Sequence, residues 1–218
     1  MRLIHRLTFW LLSIGLALLL AGCQRERLHQ QESYVFGTRV EVITWGAPEP
    51  QARAATAAVL QEFDRLHRAY HAWEPSELTA LNTAIAAGTP QIPVSPELAT
   101  LLADAKAIAA TGDELFNPAL GQLIALWCFH TDTFTPTRPA PDALAAAIKA
   151  RPSMADLTIN GSTVSSRNRA VQIDLGGYAK GYALDRAATL LRQKGISNAL
   201  INIGGNVMAL GSKGEYPW

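Results

Sequence analysis

The stretch Ala170-Val-Gln-Ile-Asp-Leu-Gly-Gly-Tyr-Ala-Lys-Gly-Tyr-Ala-Leu-Asp185 changes character partway along, and that change sets the reading of the whole chain. Residues 170–174 read as a strand. Leu184, Ala187, Leu190 and Leu191 then mark one face of a helix over 178–194, which Gly195 closes. Gly176 and Gly177 lie between the two, and Lys180 falls in the first turn of the helix. A strand that runs through a glycine-rich turn into a helix points free backbone N–H groups and a cation at one spot, which suits a phosphate. The same residues describe an ordinary strand-to-helix turn with a solvated lysine equally well. Their spacing is neither that of a Walker loop nor that of a dinucleotide-binding fingerprint.

Downstream, residues 198–203 and 207–210 predict strands around Gly204-Gly205-Asn206, either a hairpin corner or a place where a ligand approaches the backbone. Upstream, Asn160-Gly161 predicts a hairpin between 157–160 and 162–165. A short helix over 142–150 follows an exposed loop over 131–141 that holds three prolines. Asn117-Pro118 reads as a cap, with Leu115 and Phe116 as a hydrophobic staple and Leu120, Leu123, Ile124 and Trp127 on a buried face. Ser95-Pro96-Glu97 opens a helix with Leu98, Leu101, Leu102, Ala105, Ile108 and Ala109 on its apolar face and Gly112 at its end. Helical spacing over 48–70 puts Val59, Phe63, Leu66 and Tyr70 on one stripe, and a second helix spans 76–82. Residues 34–45 predict a strand, with Phe36-Gly37-Thr38 at its start as a core aromatic beside a bulge. His67, His71 and His130 lack ligand spacing and read as surface or loop residues, while Tyr70, Trp73 and Trp127 read as core or rim. The fold class is α+β, with antiparallel strands in the second half.

The first residues divide into a basic start (Arg2, His5, Arg6), an apolar run over 7–20 and Leu20-Ala21-Gly22-Cys23. That run is shorter than the ~20 apolar residues that a bilayer-spanning helix needs, and small residues before a cysteine suit a lipoprotein signal. The expected organisation is a signal peptide over 1–22, lipid on Cys23, a polar tether over 23–33 and one domain over 34–218. An uncleaved anchor with a chance cysteine is the other reading. Removing Arg2 and Arg6 from 19 basic side chains leaves 17 against 18 acidic ones, so nothing points to nucleic acid or to a polybasic membrane patch. Cys128 is the one other cysteine, which excludes a disulfide framework. The expected location is the cell envelope, facing the periplasm, with Gln24 leaning towards the outer membrane by analogy with enteric bacteria.

Taken in order, Phe36-Gly37-Thr38, Ser76-Glu77-Leu78 with Leu81-Asn82, the segment 112–118, Leu126-Trp127, the segment 174–185, Asn202-Ile-Gly-Gly-Asn206, Gly211-Ser-Lys-Gly and Pro217-Trp218 resemble the ApbE family. That family consists of FAD:protein FMN transferases, once described as thiamine-biosynthesis lipoproteins. The resemblance implies a T-fold-related single domain of antiparallel strands with packed helices. It implies a reaction in which FAD is split with Mg²⁺, FMN is joined to a Thr or Ser hydroxyl of an acceptor protein, and AMP leaves. The acceptor would be a periplasmic or membrane-bound redox subunit. By position, the resemblance makes Phe36, Leu115, Phe116, Asn117, Asp174 and Lys180 flavin-cofactor contacts and Gly177 a metal ligand through its carbonyl; it assigns no catalytic residue. Phe36 stands where the family usually has Met, Ala72 where many members have a Tyr that contacts FAD, and Asn206 where Asp is frequent. Family members continue past the Pro-Trp pair into a segment with the metal site's Asp and Thr, so the chain is expected to lack a C-terminal third. A lipoprotein that holds FAD or FMN without transferring it, a FAD pyrophosphatase and a non-enzymatic assembly lipoprotein are the other readings.

Overall fold

The computed structural model describes residues 28–131 and 137–218. The expected signal peptide over 1–22, Cys23, residues 24–27 of the expected tether and residues 132–136 of the proline-rich loop lie outside the described residues.

Strands β1 (Leu28–Val35), β2 (Thr38–Trp45), β6 (Ala199–Ile203) and β7 (Asn206–Leu210) form one antiparallel sheet in the order β1-β2-β6-β7. A smaller sheet has the order β3-β5-β4, from β3 (Ile92–Pro93), β4 (Leu157–Asn160) and β5 (Thr163–Ser166). The helices are α1 (Glu49–Ala69), α2 (Glu77–Ala87), α3 (Pro96–Thr111), α4 (Gly121–Leu126), α5 (Pro141–Ala150) and α6 (Ala179–Gln193). The expected α+β class holds, but the strands of the first and second halves share one sheet rather than segregating.

Period-two alternation sets the register of that sheet. Val40, Val42 and Thr44 on β2 point to the core, and their partners Ile203, Ile201 and Ala199 on β6 lie on the same face. Helix α1 covers this face with Ala52, Ala55, Val59, Phe63 and Leu66, and it packs against α6, which contributes Ala183, Leu184, Ala187 and Leu191.

The strand expected over 34–45 is a hairpin. Val35 pairs with Thr38 across the two-residue turn Phe36-Gly37, where φ is 58° and 68°. Residues 28–33, read as tether, belong to β1 and so to the domain itself. Their sequence lacks apolar alternation because β1 is an edge strand whose outward face is polar. On that face Arg39 bonds Glu32 through Nε at 2.9 Å and Nη2 at 2.5 Å, which offsets the cross-strand pairing of Glu32 with Glu41. Thr56 on α1 donates to Gln31 at 2.6 Å.

Ser76 and Ser95 cap α2 and α3 as their sequences require. The cap expected at Asn117-Pro118 does not form. Helix α4 starts at Gly121, and Asn117 instead accepts from Ala119 N–H at 3.1 Å and donates to the Pro152 carbonyl at 3.0 Å. Leu115 is 94% exposed, so no staple forms, and Trp127 lies at the surface because α4 is short and packs outward against α5. Residues 170–174 are extended but make one isolated parallel bridge, Leu120 to Gln172, instead of a strand. The alternation is present, since Val171, Ile173 and Leu175 are buried. A Cβ on Gly121 would lie 2.7 Å from the Gln172 carbonyl oxygen, so glycine permits that approach.

Candidate functional site

Two clefts meet at the glycine-rich segment. The first, about 630 Å³, lies between the β1–β2 turn, the end of α1 and residues 174–180. Phe36, His67, Tyr70, Trp73, Asp174 and Lys180 are among its walls. The second, about 510 Å³, is lined by Ile108, Phe116, Gly177, Tyr182, Asp185 and Asn206 among others. Gly176 and Lys180 border both. Each cleft is of a size common to small-molecule sites.

The turn between the clefts is built from the main chain. Gly176 N–H donates to Asp174 Oδ1 at 2.7 Å, and the N–H groups of Tyr178 and Ala179 both donate to the Leu175 carbonyl, at 2.8 and 2.7 Å. Tyr178, at the N-cap of α6, offers no side-chain cap. No backbone or side-chain bond among the described residues takes the N–H groups of Gly177, Lys180 and Gly181. Lys180 forms no ion pair among the described residues. Helix N-terminal donors without a partner among the described residues, beside an ammonium without an ion pair there, attract an anion by elementary electrostatics.

Asp174 is aimed by a buried amide. Asn82, 8% exposed on α2, donates to the Ile173 carbonyl at 2.8 Å and accepts from Ile173 N–H at 2.7 Å. This bidentate clasp fixes the main chain one residue before Asp174.

Phe36 carries strain. It is a bulky residue at φ 58°, a region that costs an L-residue about 1–2 kcal/mol. The conformation turns its ring onto Phe63, 5.9 Å away, and His67, 5.7 Å away. A ladder of tilted rings continues through His67–His71 and His71–Trp73, each at 4.8 Å, along the first cleft. His71 Nδ1 accepts from Glu74 N–H at 3.0 Å. His67 and His71, read as surface or loop residues, are therefore walls of the first cleft. The helical stripe gave the missing signal: Phe63, His67 and Tyr70 sit at i, i+4 and i+7 on one face of α1.

Of the residues expected at the site, Phe36, Asp174 and Lys180 line the first cleft, and Phe116, Gly177 and Lys180 the second. Phe116 lies 6.4 Å from the Tyr178 ring. Leu115 and Asn117 line neither: Leu115 points to solvent and Asn117 bonds main chain. Among the described residues no three His, Cys, Asp or Glu side chains converge as a metal-binding group. Mg²⁺ needs a near-octahedral oxygen shell with carboxylates or phosphates, so the Gly177 carbonyl and its described surroundings do not fit a Mg²⁺ site unaided.

A family model described as the ApbE family matches residues 36–218. The chain is 49% identical over 186 residues to a FAD:protein FMN transferase of Rhodobacter capsulatus, an alignment that covers 85% of this chain and 35% of that protein. It is 31% identical over 219 residues to a FAD:protein FMN transferase of Klebsiella pneumoniae, covering 94% of this chain and 62% of the relative. Its structure matches that of the ApbE protein of Thermotoga maritima with a TM-score of 0.79 and 27% identity, over 88% of this chain and 62% of the other. The chain thus spans between about a third and three-fifths of the length of these relatives. With a family match over 183 residues and the same architecture in a solved relative, the chain belongs to the ApbE family.

Proposed function

We propose that this protein holds FAD across the two clefts, with its pyrophosphate at the uncapped N-terminus of α6 beside Lys180, and transfers the FMN part to an acceptor protein. The observation that carries this reading is that Lys180 borders both clefts, in a helix start where three backbone N–H groups have no partner among the described residues. Such a centre offsets the charge of a diphosphate, and a cleft on either side leaves room for the two halves of a dinucleotide. In the reaction, the oxygen of an acceptor Thr or Ser hydroxyl bonds to the phosphorus of the FMN half. The bond from that phosphorus to the bridging oxygen breaks, AMP leaves with that oxygen, and the hydroxyl proton is released. The wall around Phe36, His67 and Trp73 offers aromatic surface for a planar ring.

The test is direct. The whole gene product, incubated with FAD, Mg²⁺ and a Thr-containing acceptor peptide, gives FMN-modified peptide by mass spectrometry and an equivalent of AMP; EDTA stops both. FAD that binds and yields no adduct across several Thr-containing acceptors leaves a flavin-binding lipoprotein. Free FMN and AMP without adduct leave a pyrophosphatase.

FAD is expected to bind in the low-micromolar range or tighter, about 8 kcal/mol. Lys180→Ala removes a charge-assisted contact worth about 1.5–3 kcal/mol and weakens that binding tenfold or more. An unchanged dissociation constant by flavin fluorescence would return Lys180 to the solvated surface.

The protein is also proposed to be an exported lipoprotein anchored through Cys23. In Cys23→Ser the membrane association is lost and the signal peptide stays attached. A variant that still sediments with membranes after alkaline washing rules out the lipid anchor.

A further inference from the structure

The first turn of α6 has little of its own to hold it. Glycine occupies positions 176, 177 and 181, each a poor helix former, and no side chain caps the helix. Among the described residues nothing accepts from the N–H groups of Gly177, Lys180 and Gly181. Yet Lys180 must be presented at one place if it is to meet a phosphate between the clefts, so the order has to come from tertiary contacts.

One network supplies them. The Tyr182 hydroxyl donates to Glu97 Oε1 at 2.9 Å. Arg65 grips Glu97 with two prongs, Nη1 to Oε2 at 2.9 Å and Nη2 to Oε1 at 2.8 Å. The same guanidinium grips Glu62 through Nε at 2.8 Å and Nη2 at 2.9 Å, and Arg186 reaches Glu62 Oε1 at 3.2 Å. Helices α1, α3 and α6 are thus tied together, with α6 held at Tyr182 and, one turn later, at Arg186. Glu62 and Glu97 are largely shielded, their side chains 12% and 28% exposed, so this is a shared network and not an isolated surface pair. The Glu97 carboxylate that accepts from Tyr182, a wall of the second cleft, also acts on Tyr70, a wall of the first, whose phenol it helps to push up. One carboxylate therefore sits beneath both clefts.

We propose that Tyr182 and Glu97 are positioning residues that fix the glycine-rich first turn of α6 and, through it, the place at which Lys180 meets a phosphate of the bound nucleotide. The proposal rests on the flavin-nucleotide reading above. The protonation states agree with it. Arg65 holds the Glu97 carboxyl below the usual carboxylate range against the opposing effect of burial, and the two phenols add to that. Burial and Glu97 push the Tyr182 phenol up to about 12 and the Tyr70 phenol higher still, so both remain donors.

Tyr182→Phe removes one oxygen and keeps the ring, which spares the fold. FAD titrations by flavin fluorescence then give a dissociation constant about tenfold higher, the scale of one hydrogen bond to a charged group. Riboflavin, which has the ring system but no phosphate, binds the variant and the wild type alike. In the Lys180→Ala background the same substitution changes FAD affinity by less than about twofold, because the residue through which it acts is gone. Glu97→Gln, still able to accept the phenol bond, binds FAD more tightly than Glu97→Ala. An unchanged FAD affinity in Tyr182→Phe, equal losses for FAD and riboflavin, or a loss that adds in full to that of Lys180→Ala would each overturn the proposal. Wild-type protein that binds neither FAD nor AMP would overturn the flavin reading itself, a result separate from all three.

Discussion

Phe63→Ala is expected to lower the stability of this protein by about 3–5 kcal/mol, the usual cost of emptying an aromatic site in a close-packed core. Phe63 has no exposed surface and sits in the middle of α1, over the β2–β6 face. Its neighbours belong to different elements, so no single shift can fill the space. For a chain of this size the melting temperature should fall by roughly 6–20 °C. Urea denaturation gives the free energy, and the transition slope shows whether cooperativity survives. The Phe36 ring rests on Phe63 at 5.9 Å and is held there against an unfavourable φ, so on the proposed flavin reading loss of the support is expected to lower FAD affinity as well. A loss of stability below about 1 kcal/mol would mean that the core repacks around the gap.

Asn82→Ala is expected to cost about 2–4 kcal/mol, although Asn82 is polar and far from Asp174 in sequence. Its amide satisfies both the N–H and the C=O of Ile173, whose side chain is wholly buried. Alanine removes the partner and leaves two main-chain groups unpaired in a place poor in water, each of which costs about 1–3 kcal/mol. Asn82→Asp should fare no better, because the carboxylate keeps the bond to Ile173 N–H but turns a negative charge towards the carbonyl. The site should feel either change, since the clasp fixes the chain next to Asp174. Hydrogen exchange at Ile173 N–H reports the loss directly, and its protection should fall in both variants. Unchanged protection in Asn82→Ala would show that the segment is held by its bonds to residues 118–121 instead.

Legibility in the sequence follows the range of the interactions. The stripe on α1, the serine caps of α2 and α3, the Asn160-Gly161 turn and the glycine that ends α6 depend on residues within a turn or two, and all stand where the residues place them. The hairpin at Phe36-Gly37 was not legible, because a phenylalanine at φ 58° violates the local rule for such a turn. Strand β1 was not legible either, since an edge strand needs only one buried face, and Val35 is its single buried residue. The cap expected at Asn117 fails because α4 starts only at Gly121: the amide Oδ1 accepts from Ala119 N–H before the helix begins, while its Nδ2 is held by the Pro152 carbonyl, 35 residues away.

The site divides in the same way. The glycine-rich stretch 174–185, its lysine and the uncapped helix start can be read from sequence, because backbone geometry and local spacing create them. That Phe36, 138 residues before Asp174, faces the same cleft was decided only in three dimensions, when β2 paired with β6 and brought the β1–β2 turn beside α6. The sequence by itself determined most of the helices and turns and an uncapped helix start beside a lysine. The tertiary structure alone decided which distant side chains surround that place: the aromatic wall on α1, the Asn82 clasp and the Glu97 network. Each of these joins residues far apart in the chain, whose meeting depends on sheet register and helix packing, and no local propensity encodes either.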